Sequence, residues 1–329
     1  MLYDPFQRPH QYLRISLTEQ CNLRCFYCMP EEGVQHSPAA SWMDAKEVYQ
    51  IAQTFVGLGV NKIRLTGGEP LLRKDAGQII ESLGQLPVQL TLTTNGVLVD
   101  KYLSTFQKAG IKALNISLDT LDPDKFTLVT KRPSFQKVWD NIQLLLQEGF
   151  KVKLNVVLMR SINWTELLDF IALTKEQAIG IQFIEFMPFD GNQWDWSKGI
   201  SLAEILEQVE QHYGAEQVVR IQDQPHDTAV NYSIKGHKGS FSIISTITNP
   251  FCSTCNRIRL TANGQLKNCL FSKSETDILT PLRAGEDIIP HIQANLAAKA
   301  KGRGGMETFE DFADPQQHGQ NRSMILIGG

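Results

Sequence analysis

Six cysteines stand in two triads, and that arrangement constrains this chain more than any other feature of its sequence. The run CNLRCFYCMP, residues 21 to 30, holds Cys21, Cys25 and Cys28 in a C-x3-C-x2-C spacing. The run NPFCSTCNRIRLTANGQLKNCLF holds Cys252, Cys255 and Cys269 in a C-x2-C-x13-C spacing. Three thiols crowded into one loop suit a shared inorganic centre better than a disulfide framework. A structural zinc site closes with four ligands, and a [4Fe–4S] cluster takes one ligand per iron. A triad therefore leaves one metal position open, and an open position admits an exchangeable ligand. The competing reading is zinc completed from a distance, by a remote Cys or His for the first triad and by His291 or His237 for the second.

The rest of the composition is that of a globular protein: 329 residues, 42% hydrophobic and 20% charged, enough for a sizeable core. A formal net charge of −3 argues against non-specific nucleic-acid binding, which needs a positive field. The opening MLYDPFQRPHQYLRISLTEQ has no apolar signal core. No later stretch approaches the roughly 18 apolar residues of a membrane helix. The expectation is a cytoplasmic protein with reduced cysteines and neither membrane nor nucleic-acid partners.

Short β-branched runs predict strands at 12–18, 62–67, 88–94, 112–119, 151–158 and 181–187. Amphipathic patterns predict helices at 44–57, 76–85, 99–109, 134–148 and 164–177. This alternation predicts βα units on a parallel sheet, curled into an open partial barrel or laid out as a doubly wound sheet. Past residue 200 the rhythm changes. A helix is expected at 201–212, a linker at QDQPHDTAV, strands near 229–235 and 240–247, and a helical region at 286–300. The polar, Gly-rich 300–323 reads as a loop or mobile tail. The expected division is a barrel over 1–200 and an α+β region over 201–329 that carries the second triad and a Gly-Gly tail.

The first triad follows the first strand, at the end of a parallel sheet where such folds place their chemistry. TGGEP (66–70), TTNG (93–96) and SLD (117–119) end the next three strands. Their glycines let a ligand approach the backbone, Glu69 offers an acceptor for an ammonium, and their hydroxyls suit a polar ligand across the barrel mouth. Arg257 and Arg259, spaced i, i+2, share one face if they lie on a strand, and paired guanidiniums suit phosphate oxygens. Solvated surface arginines are the plainer alternative.

The C-x3-C-x2-C loop with Tyr27 before its last cysteine resembles the radical S-adenosylmethionine (SAM) superfamily. That resemblance implies a partial (β/α)6 barrel and SAM chelated on the open iron of the first cluster. The combination of TEQCNLRCFYCMP, RLTGGEPLLR, FCSTCNRIRLTANGQLKNCL and a terminal GG is similar to one family within it, the GTP 3′,8-cyclases of molybdenum-cofactor biosynthesis, from about residue 5 onward.

The resemblance implies two [4Fe–4S] clusters, one on Cys21, Cys25 and Cys28, the other on Cys252, Cys255 and Cys269. It implies SAM against Tyr27, Gly68, Ser117 and Met187. It implies GTP against Arg14, Arg64, Thr93, Lys153, Arg257 and Arg259, with the guanine on the second cluster. It implies a 5′-deoxyadenosyl radical that takes the ribose 3′ hydrogen, after which the carbon radical attacks C8. Gly328 and Gly329 would enter the active site to position the radical or substrate. The partners implied are an electron donor, a downstream cyclic pyranopterin monophosphate synthase and a second copy in a homodimer. Gln20 stands where relatives often carry a basic residue, and Ser323 where many carry proline. Two other readings stay open. One is a radical SAM peptide-modifying enzyme with an auxiliary cluster, and the other is a non-catalytic zinc-stabilised binding protein.

Overall fold

Apolar and polar residues alternate along the strands, and this alternation decides the architecture. The computed structural model describes residues 1–329 except 30, 31, 191, 193, 307, 315–320 and 329. Strands β1 (Tyr12–Ser16), β2 (Lys62–Thr66), β3 (Gln89–Thr94), β4 (Ala113–Ser117), β5 (Lys151–Leu158) and β6 (Gly180–Glu185) end within two residues of expectation. They lie side by side in sequence order, each parallel to the next. Sequential order means that every right-handed crossover places its helix on the same face. A doubly wound sheet would instead reverse direction at a switch point. The structure is therefore the open partial barrel.

The helix-covered face is apolar. Leu13, Ile15, Ile63, Leu65, Leu92, Ile116, Leu154, Val156, Ile181 and Phe183 are fully buried there. The crossover helices α1 (Ala45–Gly57), α2 (Ala76–Leu83), α3 (Leu103–Lys108), α4 (Pro123–Thr130), α5 (Phe135–Gln147) and α6 (Leu167–Glu176) cover it. In α1, Asp44 accepts from the Glu47 amide and the Glu47 carboxylate accepts from the Asp44 amide, a reciprocal cap. The same helix buries Val48, Ile51, Ala52 and Phe55, a helical stripe. Helix α4 is absent from the expected elements, although Asp122 before Pro123 is a helix-start signal: Asp122 caps the Asp124 and Lys125 amides.

Residues beyond 200 extend both edges of this sheet. After α7 (Leu202–Tyr213) come β7 (Val218–Arg220), β8 (Val230–Ile234) and β9 (Ser240–Ile244), and β9 pairs in parallel with β6. On the other side β10 (Arg257–Leu260) pairs in parallel with β1, and β11 (Gln265–Lys267) and β12 (Thr276–Asp277) follow. The twelve strands run β12-β11-β10-β1-β2-β3-β4-β5-β6-β9-β8-β7. Within the stretch expected as a loop, Phe309–Ala313 is helical and capped by Thr308. Its Phe312 is fully buried with Phe189, Ile247, Phe271, Met306 and Ile327, so apolar side chains dock this segment. Among the described residues, no helix is long and apolar enough to cross a membrane.

Candidate active site

The face opposite the helices lines a lumen, and it is polar. Period-two alternation puts Tyr12, Arg14 and Ser16 there from β1 and Lys62, Arg64 and Thr66 from β2. Register then lays Arg257 beside Tyr12 and Arg259 beside Arg14 on one flank, and Lys62 and Arg64 beside them on the other. Arg257 and Arg259 thus share a strand face directed at the lumen. The Arg64 guanidinium donates to the Thr93 hydroxyl at 3.1 Å and to the Tyr12 hydroxyl at 2.5 Å. Lys153 on β5 is exposed to the lumen yet walled in. That burial, with Arg64 and Lys62 across from it, holds its ammonium below the usual value against the pull of Asp227.

The field of this strip acts on its own members. Burial brings the Arg14 guanidinium down to about 10 and Arg259 down to about 9, each helped by the other arginines. Arg257 packs over the Phe251 ring at 5.2 Å and donates to the His226 carbonyl at 3.3 Å. The expected linker at 222–230 therefore folds against the second cysteine loop, where His226 Nδ1 also meets the Thr254 carbonyl at 2.9 Å.

Chain direction separates the triads. Strand β1 runs toward Cys21, Cys25 and Cys28, whereas β10 runs away from Cys252 and Cys255. Because the two strands are parallel, the triads stand at opposite ends of the lumen with the cationic strip between them.

The first triad lines a cavity with Tyr27, Gly67, Gly68, Thr93, Asn95, Ser117 and Asp119. Its loop stem is set by Gly67 and Gly68, whose neighbours are chain rather than open space. The Gly68 amide donates to Thr18 O and the Glu69 amide to Gln20 O, each at 2.7 Å, and a Cβ on Gly68 would lie 2.3 Å from Gln20 O. Glu69 is fully buried; it accepts from the Thr94 hydroxyl and the Leu71 and Asn95 amides, while burial raises it to about 7. Tyr27 donates to Asp119 at 2.5 Å, and burial raises that carboxyl to about 6. Asp119 lies in the SLD motif, yet the sequence reading credits only its serine. Met187 is not among the residues lining this cavity; it packs instead against the apolar cluster that contains Phe189, Ile247 and Phe271.

The second triad is assembled by a hairpin. Strands β10 and β11 are antiparallel, so Cys269 returns beside Cys255 despite the 13 intervening residues. Lys299 sits behind it, donating to the carbonyls of Arg257 (3.1 Å) and Asn268 and approaching Cys255 Sγ at 4.0 Å. Burial alone would push the Cys255 thiol up, but Lys299 and Arg257 bring it below its ordinary value. Arg8 closes the loop from the other side. It donates to the carbonyls of Cys252 and Lys301 at 2.7 Å each and of Ala300 at 3.1 Å, and is itself held by Asp4 at 2.5 Å. Neither Arg8 nor Lys299 carries a recognisable motif.

The tail enters the lumen. Met324–Ile327 form a last helical turn, Met324 and Ile325 line the cavity, and Gly328 follows at φ 83°. Arg259 donates to the Gly328 carbonyl at 3.2 Å, and a Cβ on Gly328 would lie 2.7 Å from Thr66 Oγ1 and 2.8 Å from Ser16 Cβ. Gly329 lies outside the described residues.

With this geometry established, likeness to known proteins decides the family. The radical SAM superfamily profile matches residues 15–174, and the Molybdenum Cofactor Synthesis C profile matches 179–304. A protein of Arabidopsis thaliana called "GTP 3′,8-cyclase, mitochondrial" is 44% identical over 335 residues, spanning 100% of this chain and 84% of the plant protein. This chain belongs to the GTP 3′,8-cyclase family. Another relative of these cyclases is molybdenum cofactor biosynthesis protein 1 of Mus musculus. It is 44% identical over 99% of this chain, which spans 51% of that longer protein. The crystal structure of Streptococcus suis SuiB shares the fold at 15% identity, with a TM-score of 0.65 over 98% of this chain and 73% of that one.

Radical SAM cyclases use SAM and a [4Fe–4S] cluster, and the residues present fit such groups. All six thiols are free and partly accessible. Among the described residues no three His, Cys, Asp or Glu side chains converge as ligands of a single metal ion would. The histidines considered as zinc ligands have other company: His237 pairs with the Thr174 hydroxyl at 2.8 Å, and His291 faces Asp277. The three thiols of the first triad, standing around one cavity, suit a larger cluster that takes one thiolate per iron.

Proposed function

We propose that this chain converts GTP to (8S)-3′,8-cyclo-7,8-dihydroguanosine 5′-triphosphate, the first step of molybdenum-cofactor biosynthesis. The observation that carries this reading is the strip Arg257, Arg259, Arg14 and Arg64, laid across three adjacent strands between two cysteine triads. A net-acidic chain that gathers these cations inside a lumen needs a polyanion to occupy them. The relatives named above supply the nucleotide: GTP.

Cys21, Cys25 and Cys28 would hold the cluster that accepts SAM, beside Tyr27, Gly68, Ser117 and Met187. Cys252, Cys255 and Cys269 would hold a second cluster that receives the guanine. When bound, the first cluster and SAM supply one-electron chemistry able to take hydrogen from an unactivated C–H bond.

The chain's own residues do the positioning. Arg14, Arg64, Arg257, Arg259 and Lys153 fix the triphosphate, and Thr93, bonded to Arg64, bounds the ribose side. The ribose is then turned toward the first triad with its C3′ close to C8 of the base, the two atoms the ring closure joins. Leu23, Met29, Phe126, Val129, Met324 and Ile325 give the cavity apolar walls that exclude water. The tail at Gly328 and Gly329 would set the distance between the reacting parts.

This reading carries three partners: an electron donor, a cyclic pyranopterin monophosphate synthase acting on the product, and a second copy of the chain. Its setting is a reducing, cytoplasmic compartment. The test is anaerobic incubation of reconstituted protein with SAM, a reductant and either GTP or ATP. A cyclised product from GTP alone supports the reading; equal turnover of ATP, or none of GTP, overturns it.

A further inference from the structure

Tyr12 lies at the centre of the cationic strip, and the reading above gives it no role. It stands two residues before Arg14 on the same face of β1, with Arg257 in register on one side and Lys62 on the other. The residue is 8% exposed. Its hydroxyl accepts from Arg64 Nε at 2.5 Å, and the Arg14 guanidinium also hydrogen-bonds it. Lys62 Nζ stands 5.0 Å and Arg257 Cζ 5.8 Å from the ring centroid. Two neighbouring guanidiniums repel, and holding them together needs an acceptor between them.

We propose that Tyr12 is a positioning residue for the substrate's phosphate chain, its hydroxyl holding Arg14 and Arg64 as a preformed pair until phosphate oxygens take over. The proposal rests on the GTP reading for its ligand, but the pairing of the arginines rests on this structure alone. A carboxylate in this place would neutralise the pair permanently and compete with phosphate. A phenol is a weaker acceptor and can exist neutral.

The charge balance around it has a measurable consequence. The groups facing it are Arg14 on its own strand, Lys62 and Arg64 on β2, Arg257 and Arg259 on β10, Lys153 on β5, and Asp227 from the loop before β8. Burial raises the phenol, but Arg64, Arg14, Lys62 and Arg257 outweigh burial and bring it down to about 7. A polyphosphate among those cations reverses the local field and returns the phenol to its protonated form. Binding of the nucleotide near neutral pH therefore takes up a proton at Tyr12.

The experiment measures nucleotide binding to the cluster-loaded enzyme by calorimetry at pH 7.5, in two buffers of different ionisation enthalpy. Protein with tyrosine at 12 is compared with Tyr12→Phe and with fluorotyrosine at 12. The native protein is expected to take up about three-quarters of a proton more than Tyr12→Phe, the ionised share at pH 7.5 of a phenol that titrates near 7. Tyr12→Phe should bind GTP several-fold more weakly and guanosine unchanged. Fluorotyrosine, with its more acidic phenol, should move the proton uptake to lower pH. A merely structural tyrosine would not move with the phenol's acidity. Inorganic tripolyphosphate separates the two readings: tyrosine-dependent proton uptake with it, but no GTP binding, upholds Tyr12 and sinks the GTP reading. Identical proton counts and identical GTP-to-guanosine affinity ratios in native protein and Tyr12→Phe overturn the Tyr12 proposal.

Discussion

Arg14 on β1 lies directly beside Arg259 on β10, in parallel register on adjacent strands, although about three-quarters of the chain separates them in sequence. Two guanidiniums at neighbouring ladder positions on a half-buried face are unfavourable in the free protein. The parallel pairing of β10 with β1 holds them there. Such a pair is preorganised for an anion.

Arg259→Ala should therefore weaken GTP binding by roughly 1–3 kcal/mol, the range for a lost charge-assisted hydrogen bond, and guanosine binding by much less. Relieving the repulsion should leave the melting temperature unchanged or raised. Equal losses for the nucleotide and the nucleoside in equilibrium dialysis would remove the phosphate role.

Arg8 ties the opening segment of the chain to the second cysteine loop through the Cys252, Ala300 and Lys301 carbonyls. Arg8→Ala frees those carbonyls and leaves Asp4, whose side chain is fully buried, without its ion pair. The expected result is loss of the second cluster with the first retained, about four irons per chain instead of about eight after anaerobic reconstitution. An unchanged iron count would show that the clamp is dispensable.

His10 gives the same region an acid sensitivity. Burial, reinforced by Lys299 and Arg8 and only partly opposed by Asp4, brings its imidazole down to about 4. An unfolded histidine titrates near 6.5. Between those values the unfolded chain binds a proton that the folded chain does not. Stability is thus fully present above about pH 6.5 and falls as pH drops to about 4, by about 3 kcal/mol in total. His10→Gln, which keeps an N–H for Asp4, should flatten the melting temperature across that window; an unaltered slope would assign the acid loss elsewhere.

Gly328 occupies a left-handed conformation against Ser16 and Thr66. Gly328→Ala adds backbone strain of roughly 1–3 kcal/mol and a methyl group where there is no space for one. Cluster content and SAM cleavage should survive, because both triads are built elsewhere, while cyclisation of GTP should fall sharply. Cyclisation at the native rate would reduce the tail to a packing element.

What the sequence makes legible is what local pattern encodes. The βα units follow from alternation, and the two cysteine triads from spacing. The TGGEP, TTNG and SLD motifs do line up at successive strand ends, with Gly68, Thr93 and Ser117 on one cavity. The lumen itself is not local. It depends on β10 joining β1, a pairing that no spacing signals and that sets Arg259 beside Arg14. Gly67 and Gly68 line the cavity and also admit the backbone of Thr18–Gln20 against them, a contact made only after folding. Arg8, Tyr12 and Lys299 each look like ordinary surface or core residues until their partners, distant in sequence, are in place. The segment at 300–323 reads as mobile because its polar residues outnumber Met306 and Phe312, the buried apolar side chains among its described residues.

The most direct test of the account follows the hydrogen. GTP carrying deuterium at the ribose 3′ position, incubated anaerobically with the reconstituted enzyme, SAM and a reductant, should transfer that deuterium to 5′-deoxyadenosine. The label should appear there in step with a cyclised GTP product joined at C8. If 5′-deoxyadenosine forms without the label while GTP is recovered intact, the lumen between the two triads does not hold the ribose where the proposed reaction needs it.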